Sequence, residues 1–246
     1  MTRPFLVLQL RPEDIAADNE FDAILRYGGL GHDDVVRVRA ERTGLPAIDL
    51  DKYAGIIVGG SPFDVGATEN SKSAIQKRIE VQFMELFDQL VDRDFPFLGA
   101  CSGNGLLGKY CGVNISTRYA ELIGGADVSL TPEGKRDHLL AGFPTTFRVL
   151  LGHKEACDDV PPGTTLLASS SACPVQMFRL RGNLYATQFH PEADPEVFRI
   201  RIEVYKDYGY FPPETADELV ASVATEHTPF AQRILDRFVR RYRQAG

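Results

Sequence analysis

The segment FPFLGACSGNG, residues 95–105, decides the fold, because its apolar run ends abruptly in Gly-Ala-Cys-Ser-Gly. This pattern predicts a buried strand, a tight turn and a helix start, with Cys101 on the turn. That is the geometry of a nucleophile elbow with sulfur in place of oxygen. Gly99 and Gly103 suit the close approach of the two arms, where a side chain on either would hit the other arm. The unpaired N–H groups at the helix start are expected to favour the thiolate of Cys101.

A base for this cysteine follows in LYATQFHPE, residues 184–192, where a predicted strand leads into His190 and Glu192. Residues i and i+2 of an extended backbone point the same way, so Glu192 can lie beside the imidazole and orient it. A structural cysteine or a solvated His-Glu pair would explain either motif alone. The two motifs together favour a catalytic Cys-His-Glu set.

With these residues the chain resembles the class I glutamine amidotransferases, whose triad lies on a G-x-C-x-G elbow and a downstream H-P-E. It is most similar to free-standing proteins related to the amidotransferase domain of GMP synthase. The resemblance runs from about residue 5 to residue 192 and includes IIVGGSPFDV, residues 56–65. It implies that Cys101 is the nucleophile, His190 the base and then the acid, and Glu192 the orienting carboxylate.

Further site residues are expected on two other segments. IIVGGSP, residues 56–62, has the pattern of a buried strand that enters a turn with exposed amides at Gly59 and Gly60. The resemblance implies that the N–H groups of Gly60 and Ser102 hold an oxyanion, and an ordinary glycine turn is the alternative. His153, within GHKEA, resembles a site-facing segment of the family, although a lone loop histidine is more often structural.

One position departs from the family pattern G-x-C-x-G-x-Q, because Gly105 stands where a glutamine that helps to bind substrate is expected. The neighbouring Asn104 is one position out of register, about a hundred degrees around a helix, and is a poor substitute. The departure leaves the thiol chemistry intact. Free glutamine and a different amide therefore remain alternative substrates.

The pattern of apolar runs predicts an α/β fold with an open, mostly parallel sheet flanked by helices, and a C-terminal helical extension. The resemblance implies that this sheet is flavodoxin-like. Cys101 would follow a central parallel strand, at the edge where such sheets place their sites. Between residues 114 and 189, shorter extended runs predict an antiparallel flap or a mixed sheet. The individual elements expected in the first half are strands at 5–8, 35–38 and 55–58 and helices near 21–27 and over 71–91.

We expect one amidotransferase-like domain over residues 1–192 and a helical extension over residues 193–246 that packs on it. The patterns of proline and apolar residues in the extension predict helices over 195–207, 213–225 and 229–244. The last of these is basic on one face. A solvated face is the first interpretation of this charge, and a docking surface for a partner is the second.

Composition limits the class of protein. The chain has 246 residues, 43% of them hydrophobic, and no apolar run long enough to cross a membrane. Its N-terminus lacks a signal-peptide pattern, which predicts a cytoplasmic protein. Its net charge of −7 argues against nucleic acid as a partner. The four cysteines show no zinc or disulfide spacing, so we expect no metal and no cofactor.

The sequence therefore predicts an enzyme that hydrolyses the amide C–N bond of glutamine or a γ-glutamyl-type small amide through a thioester on Cys101. It has no phosphate-cradling G-x-x-x-x-G-K-[ST] loop and cannot be a complete synthetase. Any ammonia released would pass to a synthetase partner in trans. The alternatives are a γ-glutamyl hydrolase without an acceptor and a catalytically weak regulatory homologue.

Overall fold

The computed structural model describes residues 3–243. A single large sheet forms its centre, and helices cover the sheet's two faces. The strands of the described part are β1 (Phe5–Gln9), β2 (Val35–Arg39), β3 (Gly55–Val58), β4 (Phe97–Ala100), β5 (Ile115–Ser116), β6 (Glu121–Leu130), β7 (Thr146–His153), β8 (Ala156–Cys157), β9 (Thr164–Ser169), β10 (Met177–Leu180) and β11 (Leu184–Thr187). Its helices are α1 (Asp14–Gly28), α2 (Ala40–Thr43), α3 (Ala74–Asp92), α4 (Ser102–Tyr110), α5 (Pro132–Arg136), α6 (Pro195–Tyr205), α7 (Ala216–Ala224) and α8 (Pro229–Tyr242).

The nine-stranded sheet has the order β2-β1-β3-β4-β11-β10-β9-β6-β7. Its first five strands are parallel, which confirms the expected fold class. Thr187 at the end of β11 pairs with Ala100 at the end of β4. Because parallel strands finish at the same edge, the residues that follow β3, β4 and β11 meet there.

The second half of the sheet is antiparallel. Strands β10, β9, β6 and β7 continue it outward from β11, and β5 and β8 form a separate two-stranded sheet. This agrees with the mixed sheet predicted from the shorter extended runs. The chain enters this half after α4 and returns through β11 to the parallel strands, so that His190 follows a strand next to β4.

Alternating side chains of the parallel strands pack into two cores, one on each face of the sheet. Phe5 and Ile57 lie in the core with α1 and α8, whereas Leu6 and Ile56 lie in the core with α3. This is the alternation that a buried strand requires. Helix α3 begins at Ala74, later than expected, because the hydroxyl of Ser73 caps it by accepting from Gln76 N–H at 3.2 Å.

The three C-terminal helices agree with those predicted, although residues 213–215 form a 3₁₀ turn before α7. Gln244, the last residue of the expected third helix, lies outside the described residues. Helix α8 is amphipathic and buries five apolar side chains, Ala231, Ile234, Leu235, Phe238 and Val239. In the described part of the chain, no helix has the length and apolar character needed to span a membrane.

Candidate active site

Cys101 occupies the turn between β4 and α4 in a strained backbone conformation, with φ of +51° and ψ of −94°. Its N–H donates to Thr187 O at 2.8 Å, which ties the turn to β11. A Cβ at Gly99 would lie 2.9 Å from Gly103, as the elbow requires. The expectation that a side chain on Gly103 would hit the other arm of the turn is wrong. A Cβ on Gly103 would make only ordinary contacts with Val58, at 3.5 Å and beyond. Strain of this kind in a non-glycine residue is common at functional sites.

The expected resting thiolate is not what the structure favours. Burial raises the pKa of Cys101 to about 11, although the positive charges of Arg11 and Arg201 act in the opposite direction. Desolvation disfavours the charged thiolate more than these two guanidinium groups favour it. Cys101 is therefore a thiol at neutral pH and needs a base to become a nucleophile.

His190 and Glu192 form a buried pair beyond β11. The Nδ1 atom of His190 lies 2.8 Å from Oε1 of Glu192, and the two residues are 3% and 2% exposed. Burial lowers the pKa of His190 despite the nearby carboxylate, so the imidazole is neutral at pH 7. Burial alone would raise the pKa of Glu192, but His190 and Arg201 hold it far below its usual range. The pair is thus a neutral imidazole held beside an ionised carboxylate.

Arg201, which no sequence motif indicated, lies on α6 beyond the end of the expected domain. Its Nη2 donates to Oε1 of Glu192 at 2.8 Å, and it lies 3.4 Å from Oε2 of Glu20 on α1. Arg201 is 4% exposed. The guanidinium therefore links the carboxylate beside His190 to a second buried carboxylate.

Glu20 extends this network to the N-terminal part of the chain. Its Oε2 accepts from Nε of Arg11 at 2.6 Å, and Nη1 of Arg11 donates to the hydroxyl of Tyr205 at 3.2 Å. Burial alone would lower the pKa of Arg11, but Glu20 and Tyr205 raise it well above its ordinary value. Two guanidinium groups and two carboxylates thus balance each other in a buried cluster, as buried charges must.

Gly59 and Gly60 follow β3 and have a steric role. A Cβ at Gly59 would lie 2.2 Å from Oε1 of Glu20. A Cβ at Gly60 would lie 2.6 Å from Nη2 of Arg11 and 2.8 Å from Cε1 of His190. The two glycines therefore let the buried ion cluster and the imidazole approach the backbone.

Ser61 joins this glycine turn to the elbow. Its N–H donates to Oγ of Ser102 at 2.8 Å, and the two hydroxyl oxygens are also 2.8 Å apart. Ser102 opens α4, and the N–H groups of a first helical turn have no acceptor within the helix. The hydroxyl of Tyr210, from the segment after α6, donates to Ser61 O at 3.3 Å. No sequence motif indicated a role for Ser61 or Tyr210.

Two small cavities, each of about 30 Å³, meet at Cys101, and Ser61 and Tyr210 also line both. The first, which we call the elbow cavity, contains Ser102, Gly105 and His153. The second, the arginine cavity, contains His190 and the two buried arginines. The complete lining of the arginine cavity is Arg11, Ser61, Cys101, Ile123, Gly152, His190, Phe198, Arg201, Tyr205 and Tyr210.

His153 lines the elbow cavity with both ring nitrogens engaged. Its Nδ1 is 3.1 Å from Glu155 O and its Nε2 is 3.0 Å from Oε2 of Glu121. With Cys173, these two side chains form a donor set whose atoms lie within 4.8 Å of one another. The thiol of Cys173 is 3.7 Å from Val175 O, so hydrogen bonds already account for the cluster.

Gly105 faces Val65 across the elbow cavity. A Cβ on Gly105 would lie 3.4 Å from Cγ2 of Val65, an ordinary contact distance. Asn104 is fully buried and accepts from the thiol of Cys157 at 3.3 Å. Neither residue supplies a polar group where the family glutamine is expected.

Comparison with known proteins places this geometry in a family. The model of the class I glutamine amidotransferase family matches residues 18–203. A glutamine-hydrolysing GMP synthase subunit from Thermococcus kodakarensis is 30% identical over 68% of this chain and 79% of its own length. Gamma-glutamyl peptidase 3 from Arabidopsis thaliana is 26% identical over 72% of this chain and 70% of its own length.

The fold has a close counterpart among solved structures. The crystal structure of a glutamine amidotransferase from Thermotoga maritima superposes with a TM-score of 0.75 at 20% identity, over 96% of this chain and 98% of that one. The family match covers most of the chain, including the elbow, the H-P-E segment and Arg201. The chain therefore belongs to the class I glutamine amidotransferase family of enzymes.

Proposed function

We propose that the protein hydrolyses the C–N bond of a γ-glutamyl amide, glutamine included, through a thioester on Cys101. One observation carries the proposal. Cys101, strained at a strand-to-helix turn, lines the same cavity as His190. The Nδ1 atom of His190 lies 2.8 Å from the ionised carboxylate of Glu192. This arrangement supports the roles of nucleophile, neutral base and orienting group for Cys101, His190 and Glu192.

In the first step His190 acts as the base. Because Nδ1 is engaged with Glu192, Nε2 is the nitrogen left to take the proton from the Cys101 thiol. The sulfur then bonds to the amide carbonyl carbon, and the carbonyl oxygen becomes an oxyanion. The N–H groups of Gly60 and Ser102 are the proposed donors to that oxyanion. The Ser61 to Ser102 hydrogen bond fixes these two segments relative to each other.

In the second step the imidazolium returns its proton to the amide nitrogen, the C–N bond breaks, and the amine or ammonia departs. Water then loses a proton to His190 and attacks the thioester, which releases the acid and regenerates the thiol. Glu192 stabilises the imidazolium in both steps.

The substrate proposal follows from the elbow cavity and from the relatives. One relative is named for glutamine hydrolysis and another for γ-glutamyl peptides, so the γ-glutamyl group is the shared acyl part. The elbow cavity is the proposed location of the γ-glutamyl group, with Ser102, Gly105 and His153 among the lining residues.

We also propose that the protein acts in the cytoplasm, as its N-terminal sequence predicts.

A direct assay tests the reaction. Purified protein is incubated with glutamine and with a panel of γ-glutamyl amides, and released ammonia or amine is measured together with glutamate. Turnover of at least one of these amides by the native protein, with none by Cys101→Ala, is expected. Cys111→Ala is the matched control, because Cys111 is half-buried and lies at the far end of α4. Turnover that survives Cys101→Ala would reject the thioester route.

A second candidate is a glutaminase that delivers ammonia to a synthetase in trans. The relation to a separate GMP synthase subunit favours it. Adding such a synthetase should then raise glutaminase turnover, because docking would complete the oxyanion donors. Truncation before α8 is unsuitable as a test, since α8 buries five core side chains. High basal turnover unchanged by the synthetase would favour a self-sufficient hydrolase.

A further inference from the structure

Two buried guanidinium groups, those of Arg201 and Arg11, line the arginine cavity, and Arg201 carries donors that the described residues leave unpaired. Arg201 is 4% exposed, and its Nε and Nη1 atoms are buried with no hydrogen-bond partner among the described residues. A buried unpaired donor costs free energy, and a guanidinium suits the two oxygens of a carboxylate. The cluster with Glu192 and Glu20 occupies only Nη2.

Arg11 adds a second donor at the same place. Its hydrogen bonds to Glu20 and Tyr205 use Nε and Nη1. Its Nη2 and Cε1 of His190 both lie within 3 Å of the point where a Cβ of Gly60 would stand. The second guanidinium therefore lies next to the imidazole.

The position of His190 decides which part of a substrate would meet these arginines. His190 must protonate the departing nitrogen, and it lines the arginine cavity but not the elbow cavity. The γ-glutamyl group and the amine of a scissile amide therefore lie on opposite sides of Cys101, with the amine on the arginine side. A cavity of about 30 Å³ has room for about two water molecules, which is close to the size of a carboxylate.

We propose that the arginine cavity binds a carboxylate on the departing amine, so that the preferred substrates are γ-glutamyl amino acids or peptides. This inference rests on the proposed function and narrows its substrate class. In such a substrate the carboxylate is held by Arg201 and Arg11 while His190 protonates the nitrogen beside it. Ammonia, which has no carboxylate, would leave these donors unused.

The test compares γ-glutamylglycine with γ-glutamylglycinamide, whose leaving groups end in a carboxylate and in a neutral carboxamide of similar size. We expect kcat/KM to be at least tenfold higher for the carboxylate, as one charge-assisted hydrogen bond would give. Arg201→Gln and Arg11→Gln should lower this ratio toward one. Because Arg201 also holds Glu192, its substitution will lower kcat/KM for both compounds. The ratio of the two kcat/KM values is therefore the quantity to compare. Arg179→Gln, which removes an arginine paired with Asp137 outside the cavity, should leave the ratio unchanged.

Equal kcat/KM for the two compounds in the native protein would overturn the inference, and so would a ratio that persists in both arginine variants. Hydrolysis of glutamine alone would also overturn it while leaving the proposed function intact. If no compound is hydrolysed, the proposed function fails, and calorimetric binding of the same pair to Cys101→Ala decides the inference separately. Tenfold tighter binding of γ-glutamylglycine would support it, and equal binding would not.

Discussion

Nη2 of Arg201 lies 2.8 Å from the same Oε1 atom of Glu192 that faces Nδ1 of His190 at 2.8 Å. One carboxylate oxygen thus serves the proposed base and a buried arginine at once. The arginine comes from α6, after the H-P-E segment, so the C-terminal helices take part in the site. Phe198 and Ile202 of α6 pack in one apolar cluster with Leu150 of β7, and this packing fixes the position of α6.

Removing single members of the proposed triad should have unequal effects. Cys101→Ala and His190→Ala are each expected to lower kcat/KM by several orders of magnitude, because they act as one unit. Glu192→Gln should be milder, since the amide can still accept from Nδ1 but no longer stabilises imidazolium. Steady-state kinetics on the best γ-glutamyl amide measures both effects. Loss of the native circular dichroism spectrum in a variant would exclude it from the comparison.

The pH dependence of activity and of thiol alkylation should show that Cys101 is a thiol and His190 a neutral imidazole before substrate binds. Burial lowers the pKa of His190 from its ordinary value of 6.5, so the base stays unprotonated down to pH 6.5 and activity should fall only below that value. Burial raises the pKa of Cys101 to about 11, so its alkylation by iodoacetamide should keep accelerating well above pH 9. An alkylation rate that levels off near pH 6 would instead show a resting thiolate.

Breaking the buried ion cluster should cost stability. Glu20→Gln leaves Arg11 and Arg201 with less negative charge in a buried site, and we expect a loss of about 3–5 kcal/mol in the free energy of unfolding. Glu196→Gln is the matched control, because its pair with Arg199 is solvent-exposed and should change stability by less than about 1 kcal/mol. Urea unfolding measures both. Equal effects of the two substitutions would contradict a structural role for Glu20.

Two glycines of the site should respond differently to the same substitution. Gly59→Ala places a methyl group 2.2 Å from Glu20, and overpacking of this kind costs about 1–3 kcal/mol. Gly105→Ala places one 3.4 Å from Val65 and should be tolerated. Thermal unfolding midpoints of the two variants, measured side by side, provide the comparison. A destabilised Gly105→Ala would show that Val65 cannot yield.

The longer substitution Gly105→Gln reports on the substrate itself. If free glutamine is the substrate, the restored side chain should raise kcat/KM for glutamine by a contact of about 1 kcal/mol. If the elbow cavity suits another γ-glutamyl amide, the side chain should obstruct it and lower kcat/KM for that compound. Kinetics with glutamine and γ-glutamylglycine in parallel distinguishes the two outcomes.

The sequence predicted the elbow and the H-P-E segment because each is a local pattern. Glycine spacing marks the turn at Cys101, and period two places Glu192 beside His190. Short apolar runs between helices predicted that the first strands are parallel, but they did not predict the order of those strands in the sheet. The start of α3 depended on one cap, the hydroxyl of Ser73. The division into residues 1–192 and an extension stays a prediction, as does the assignment of the site residues.

The ion cluster escaped prediction because its members are far apart in the chain and pair only in the folded state. The sequence did contain a weaker signal, namely charged residues on the apolar faces of two helices. Arg201 falls on the same helical face as the buried Val197, Phe198 and Tyr205, and Glu20 falls among the buried residues of α1. A charged residue on an apolar helical face must find a buried partner. Periodicity shows that such a partner is needed but not which residue it is.

The pairing of residues 11, 20, 192 and 201 has a consequence for biosynthesis. A nascent chain that ends at residue 192 would hold three of the four charges, without Arg201. These are Arg11 after the first strand, Glu20 in the first helix and Glu192 in the H-P-E segment. Two carboxylates would then face one guanidinium. Because contacts between distant residues form late, the ribosome must release α6 before the site can become electrically neutral and dry. Activity should therefore appear only after α6 has left the ribosome.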